Sequence, residues 1–133
     1  MLRQPNRLAL KLIDFGSACY DDKKPYTYVQ SRYYRAPEII FGVSYGWQAD
    51  LWAFGCILAE LWLGKPLFPG ENEVECVQMM MEVLDVPSYE FYKESKKRRI
   101  YFDSQKRPYI FPNSEGKRRA PNSKTLQEVL KCD

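Results

Sequence analysis

The residues of this chain that could carry chemistry are an aspartate, two tyrosines and two arginines, all in the first third of the sequence. Asp14 precedes a Phe-Gly pair, and a carboxylate there can either bind a hard cation or cap a turn. Tyr26 and Tyr28 are either ordinary exposed aromatics on a loop or hydroxyl groups that can carry a phosphate. Arg32 and Arg35 follow closely, and planar guanidinium groups suit a phosphate through paired hydrogen bonds.

Composition excludes several other kinds of chemistry. The sequence has four cysteines without a C-x-x-C pair and no histidine, which argues against a zinc site and favours reduced thiols inside the cell. The net charge of +3, from 20 basic and 17 acidic residues, is too balanced to indicate nucleic acid as the main partner. We see no secretory signal and no apolar run long enough to cross a bilayer, so we predict no membrane association and a cytoplasmic or nuclear location.

The elements that must position these residues are mostly helical. Residues 8–13 are short and apolar and fit either a buried strand or a piece of helix, and their place before Asp14 favours a strand. Residues 17–35 show no periodicity and form a long loop. Residues 47–63 are apolar around almost the whole helical circumference, a pattern typical of a buried helix. Asn72 and Glu75 form a capping-box pattern that predicts a second helix, which Pro87 ends.

The last third of the chain differs in composition. Residues 93–124 are basic, broken by prolines and poor in branched aliphatic side chains, so we expect an extended or weakly ordered segment. Residues 125–131 fit a short helix with Ser123 or Thr125 as its cap. The basic runs 96–99 and 117–119 are either anion-binding or nuclear-import patches or, as we favour, solvated surface.

Three motifs in a fixed order give the chain a family resemblance. The runs Asp14–Gly16, Ala36–Glu38 and Asp50–Gly55 resemble the C-terminal lobe of eukaryotic protein kinases. Within that family, Tyr26-Thr27-Tyr28 and the run 30–38 resemble the activation segment of the dual-specificity tyrosine-regulated kinases, the DYRK family of the CMGC group. The resemblance implies a mainly α fold, a partial kinase domain over 1–133. Its parts would be the metal-binding motif and activation segment (8–38, with a short β element before the segment), core helices (46–86) and a basic insert-like segment (87–133).

The resemblance also implies roles for the residues around the loop. Asp14 would hold the Mg²⁺ that bridges the ATP phosphates, Phe15 would pack beneath a regulatory helix, and Gly16 would allow a sharp turn. Tyr28 would be the tyrosine that the kinase phosphorylates on itself. Its phosphate would bring about −1.5 to −2 charges, which Arg32 and Arg35 would pair with to order the loop.

Three further residues match positions that support the family's site. Ser31 would contact the catalytic aspartate and shape the substrate groove, unless it is a plain loop serine. Glu38 would pair with an arginine, which we expect to lie beyond this sequence. Asp50 would accept hydrogen bonds from the catalytic loop, and its simpler role is to cap its own helix.

Several elements of a working kinase do not occur in the sequence. It holds no Gly-rich loop, no strand lysine paired to a helix glutamate, and no His-Arg-Asp loop, so no catalytic residue can be named. We therefore expect a fragment lacking the β-rich N-lobe and the catalytic loop, with Met1 an internal methionine of a longer kinase. ATP, Mg²⁺ and protein substrates are expected for the intact parent. The chain alone should be inactive and bind no cofactor.

Two alternatives to an enzyme fragment remain from the sequence. A non-catalytic module derived from a kinase could bind a kinase's partners, since an apolar helix without all its packing neighbours favours a partner or aggregation. An unrelated helical domain would require three ordered motifs to coincide by chance. The sequence does not indicate an oligomeric state.

Overall fold

The computed structural model describes residues 2–4 and 7–132, and it begins with a small antiparallel hairpin. Strand β1 (Leu2–Gln4) pairs with β2 (Arg7–Leu10), with Leu2 opposite Leu10. The strand predicted within 8–13 is therefore present, but it starts and ends earlier. Its last residue, Leu10, is 79% exposed, and Leu12 after the strand is 84% exposed, so this end is exposed and not buried as predicted.

Helices make up most of the remaining regular structure, as the sequence predicted. A 3-10 turn, Arg32–Tyr34, precedes them. The α-helices are α1 (Pro37–Phe41), α2 (Gln48–Leu63), α3 (Glu73–Leu84), α4 (Tyr89–Tyr92), α5 (Arg98–Tyr101) and α6 (Leu126–Leu130). None of the helices in the described part of the chain combines the length and apolar character needed to cross a membrane.

Side-chain caps set the start of two helices. The Asn72 side-chain oxygen accepts a hydrogen bond from the Glu75 amide at 3.0 Å, as predicted for α3. The Glu75 carboxylate does not complete the box on Asn72, because it accepts from the Glu71 amide at 2.8 Å instead. At α6 the box is complete between Thr125 and Glu128, which confirms Thr125 as the cap.

The main core lies around Phe41 at the end of α1. Its ring contacts those of Tyr101 at 4.8 Å and Phe102 at 6.0 Å, and both partners are only 3% exposed. The expectation of an extended or weakly ordered segment over 93–124 is wrong at its start, where α5 forms and Tyr101 and Phe102 are buried. These two rings, not periodic aliphatic side chains, supply the buried apolar surface there, since aromatic rings bury large areas at few positions. Tyr92, just before the segment, stacks on Phe102 with ring centroids 4.1 Å apart. Residues 103–124 contain no helix, which agrees with an extended segment.

The basic segment after α5 is also tied to α3 through a buried ion cluster. Arg119 donates to Glu82 Oε2 at 2.9 Å and to Glu75 Oε1 at 3.3 Å, and Lys124 Nζ lies 3.0 Å from Glu82 Oε1. Burial raises the pKa of Glu75, but hydrogen bonds from the Glu71 amide, Arg119 and Asn113 outweigh it and leave that pKa lowered. Part of the run 117–119 is therefore structural, contrary to the prediction of solvated surface.

Helix α2 is present as predicted but is not buried on all sides. Ala49 and Cys56 are its buried residues, and Trp52 stacks on Phe68 with ring centroids 5.9 Å apart. Six further large apolar side chains of the helix are 44–77% exposed: Leu51, Phe54, Ile57, Leu58, Leu61 and Trp62. The pattern of an all-round apolar helix thus predicted the helix correctly. The exposure of these side chains agrees with the expectation that the helix lacks several packing partners.

Candidate functional site

The Tyr28 side chain lies on a guanidinium group. Arg35 Nη1 donates to the Tyr28 hydroxyl at 2.6 Å, and the guanidinium carbon is 3.9 Å from the ring centroid. Tyr28 itself is 58% exposed, so its hydroxyl is open to solvent on one side and touches a cation on the other. A phosphate added to this hydroxyl would form next to Arg35.

Arg35 is held rigidly by the loop that it supports. Its guanidinium donates to the carbonyl oxygens of Val29 at 2.9 Å and Gln30 at 2.6 Å, and to Glu73 Oε1 at 3.1 Å. The residue is 5% exposed, which is unusual for arginine and requires such partners. One buried arginine thus joins the loop, the tyrosine and the first turn of α3.

Gln30 fixes the loop from the other side. Its φ of +67° places it in the left-handed region. Its side-chain amide donates to the Ala49 carbonyl at 2.8 Å and accepts from the Ala36 amide at 2.8 Å. No feature of the sequence predicts this role for Gln30, because neither of its partners can be inferred from local spacing.

The second arginine predicted to face Tyr28 points elsewhere. Arg32 Nη1 donates to the Glu71 carbonyl, and its guanidinium carbon lies 5.7 Å from the Tyr33 ring centroid. The pairing of Tyr28 with Arg35 therefore has a geometric basis, whereas that with Arg32 does not. Arg32 is the first residue of the 3-10 turn.

A lysine from the basic segment lies beside Tyr28, where Arg32 was expected to be. Lys97 Nζ lies 5.5 Å from the Tyr28 ring centroid and 4.0 Å from Glu73 Oε2. Its amide donates to Ser95 Oγ at 3.1 Å, and the Ser95 hydroxyl in turn donates to the Phe41 carbonyl at 2.5 Å. Sequence reasoning missed Lys97 because 69 residues separate it from Tyr28 and its own run looked like solvated surface.

The Asp-Phe-Gly turn has a conformation different from the one expected. Asp14, with φ +63°, is the residue in the left-handed region, and Gly16 is not. The Gly16 amide donates weakly to Asp14 Oδ1 at 3.4 Å, so the aspartate does cap its own turn. Phe15 is 69% exposed. Asp14 shares a cleft of about 460 Å³ with Asp50, Gln30 and other residues of the loop.

The remaining predicted residues lie near the loop without forming a catalytic cluster. Ser31 is exposed, and its carbonyl accepts from the Tyr34 amide, while its hydroxyl makes no cap. Asp50 is exposed in the first turn of α2, and Trp47 is the cap residue, so Asp50 does not cap this helix. Glu38 is half-buried, and its carboxylate has no ion-pair or hydrogen-bond partner among the described residues.

The donor set at Asp14 fits Mg²⁺ only as one ligand among several. Within residues 10–132, no group of three His, Cys, Asp or Glu side chains could hold a metal ion. Mg²⁺ is commonly bound through one or two carboxylates, with phosphates and water as its other ligands. The exposed Asp14 carboxylate suits that arrangement.

Comparison with known proteins decides the family. The model of the protein kinase domain matches residues 1–132. The chain belongs to the protein kinase family. It is 50% identical over 132 residues to dual specificity tyrosine-phosphorylation-regulated kinase 2 of Drosophila melanogaster, covering 99% of the chain and 18% of the relative. The resemblance of this kinase chain to the DYRK family is thereby confirmed.

Further relatives of this kinase chain carry the same family name. Dual specificity tyrosine-phosphorylation-regulated kinase 4 of Homo sapiens is 50% identical over 131 residues, which are 98% of the chain and 25% of the relative. The DYRK-family kinase pom1 of Schizosaccharomyces pombe is 44% identical over 132 residues, 99% of the chain and 12% of the relative. The chain thus spans a quarter or less of the length of these kinases.

Proposed function

We propose that the chain is the activation-segment part of a DYRK-like protein kinase. In intact form, this kinase transfers the ATP γ-phosphate to serine and threonine hydroxyls of protein substrates and phosphorylates its own Tyr28. It works in the cytoplasm or nucleus. The chain alone is inactive, because phosphoryl transfer depends on positioning ATP and accepting a proton, and these 133 residues contain no Gly-rich loop, no ATP-binding lysine motif and no His-Arg-Asp loop.

The observation that carries this proposal is the contact between Arg35 and the Tyr28 hydroxyl at 2.6 Å. Arg35 and Lys97 bring two positive charges to the tyrosine, and Glu73 brings one negative charge. The local charge is therefore about +1 before modification, and a phosphate of about −2 changes it to about −1. The phosphate competes with Glu73 for the two cations, and forms stronger charge-assisted hydrogen bonds with the buried guanidinium.

This competition gives phosphorylation a structural consequence. Lys97 is anchored through Ser95 to the end of α1, so a phosphate on Tyr28 that binds both cations links the activation segment to the segment before α5. Ordering a loop through new arginine and lysine contacts is a common switching device in kinases. In this proposal Lys97 takes the second pairing position, and Arg32 holds the loop to Glu71.

The role of Asp14 gives the first test of the proposed activity. When bound, Mg²⁺ would neutralise charge on the transferred phosphate, and Asp14 would contribute one carboxylate oxygen to hold it. We expect Asp14→Asn in the full-length protein to lower kcat by about a hundredfold or more, because removing one electrostatic contact to the transferred group commonly has that effect. The measurement is transfer of γ-phosphate from labelled ATP to a serine peptide.

The matched control is Asp22→Asn, which removes an exposed carboxylate from the same loop. We expect this variant to keep its activity. If Asp14→Asn is as active as the unsubstituted protein, Asp14 holds no catalytic metal. If the full-length protein transfers no phosphate under any condition, the chain is instead part of a non-catalytic binding module. The exposed apolar side chains of α2 would then be the first place to look for its partner.

A further inference from the structure

A second cleft lies beside the aromatic core and is lined by Tyr92 and Phe102 of that core. It has a volume of about 530 Å³ and lies between α4 and the turn after α5. Tyr92 and Phe102 form its buried part, with ring centroids 4.1 Å apart and planes 6° from parallel. Tyr89 stands edge-on to Tyr92 at 5.6 Å. Because Tyr92 and Phe102 belong to the core, this aromatic lining is fixed in position.

Three cations line the same cleft without a carboxylate partner. Arg98, Arg99 and Lys106 form no ion pair with any acidic side chain in the described part of the chain. Lys106 Nζ lies 3.7 Å from the Tyr89 ring centroid, and Arg98 donates to the Lys93 carbonyl at 2.6 Å. All three side chains are exposed and keep free donors.

The one carboxylate in the cleft does not neutralise these cations. Asp103 Oδ2 accepts from Arg107 Nε at 2.8 Å, while Oδ1 accepts from the amides of Gln105 and Arg107 at 2.8 and 2.9 Å. These bonds close the turn 103–107 and lower the pKa of Asp103. Both oxygens of the carboxylate therefore bind groups of the same turn. The Lys106 ammonium group, which belongs to the same turn, lies over the Tyr89 ring and is not paired with the Asp103 carboxylate.

We propose that this cleft binds an acidic segment of a partner protein, rich in glutamate or phosphoserine. The two adjacent guanidinium groups can each take a carboxylate or phosphate through paired hydrogen bonds, and Lys106 adds a third cation. The aromatic walls contact the peptide's methylene groups and backbone, as aromatic side chains do at many interfaces. The site is separate from the Tyr28 contact and does not depend on the proposed catalytic activity.

The observations favour a peptide over a nucleic acid. Nucleic-acid binding relies on many phosphate contacts along a continuous basic surface, whereas this cleft gathers three cations in one bounded space. The chain as a whole carries 17 acidic residues against 20 basic ones. A short acidic segment matches both the size of the cleft and its local charge.

The test is a fluorescence anisotropy titration of the full-length protein with a labelled peptide of alternating glutamate and glycine around one phosphoserine. The Arg99→Gln/Lys106→Gln variant should bind this peptide about tenfold more weakly than the unsubstituted protein, since two partly exposed ionic contacts are lost. Raising the salt concentration should weaken binding by the unsubstituted protein.

The matched control, Lys96→Gln/Lys117→Gln, removes the same charge from exposed positions outside the cleft. It should bind within about twofold of the unsubstituted protein. Thermal unfolding verifies that each variant is folded. If the Arg99→Gln/Lys106→Gln variant does not fold, the single variant Lys106→Gln replaces it in the binding comparison. Equal loss in both double variants, no binding by the unsubstituted protein, or equally tight binding of a single-stranded RNA of the same charge would each overturn the proposal.

Discussion

Replacing Arg35 with alanine is expected to lower the free energy of unfolding by about 3 kcal/mol, because the change strips several partners of one buried group. The carbonyl oxygens of Val29 and Gln30 lose their donor, and Glu73 loses its closest cation. The Tyr28 hydroxyl also loses its hydrogen bond, so the loop loses its attachment to α3. Urea unfolding of the full-length protein, followed by tryptophan fluorescence, measures the change.

The control for this prediction is Arg32→Ala in the same turn. Arg32 is exposed and donates only to the Glu71 carbonyl among the described hydrogen bonds, so its loss should cost under about 1 kcal/mol. Arg35→Lys should recover only part of the stability, since an ammonium group cannot repeat the forked geometry. Similar losses in Arg32→Ala and Arg35→Ala would show that Arg35 does not organise the loop.

Removing Arg119 is the second change expected to have a large effect. Arg119 lies between Glu75 and Glu82, whose side chains are 7% and 8% exposed, and both carboxylates would remain in place without it. Breaking a buried pair in this way costs about 3 to 5 kcal/mol, and the lower value applies because Lys124 still contacts Glu82. Thermal unfolding of Arg119→Ala tests this, with Arg118→Ala, an exposed neighbour, as the control.

The same cluster predicts how stability depends on pH. The pKa of Glu75 in the folded protein lies below its ordinary value of 4.5, so folding is favoured when this carboxylate is ionised. Its contribution is fully present above about pH 4.5 and is lost as the pH falls through the lowered pKa of the folded state. Glu75→Gln should therefore show a weaker loss of stability on acidification. An unchanged slope of stability against pH in this range would contradict the proposed charge of Glu75.

Local rules predicted α2, α3 and α6 because their signals lie within a few residues, whereas the short helices α1, α4 and α5 were not predicted. The apolar run 47–63 matched α2 (Gln48–Leu63) within one residue, and the caps at Asn72 and Thr125 are in place. The burial of α2 did not follow, because burial depends on what packs against a helix and periodicity records only which side chains are apolar.

The contacts that build the site are long-range, and this is why the sequence analysis found only part of them. Tyr28 and Arg35 are only seven residues apart, and the structure places them in contact. Lys97 and Glu73 reach the same tyrosine from distant segments. The apolar content of the basic segment (87–133) was underestimated because it lies in the rings of Tyr92, Tyr101 and Phe102. The burial of Arg119 was not predicted because its partner Glu75 lies 44 residues away.

The central claim is that Tyr28 is a phosphorylated residue held by Arg35 and Lys97. The most direct measurement is phosphopeptide mapping by mass spectrometry of the full-length protein purified from its own cells. Preparations that transfer phosphate are predicted to carry phosphate on Tyr28, with Tyr26 unmodified, and to lose activity in Tyr28→Phe. A fully active preparation in which Tyr28 carries no phosphate would contradict the account.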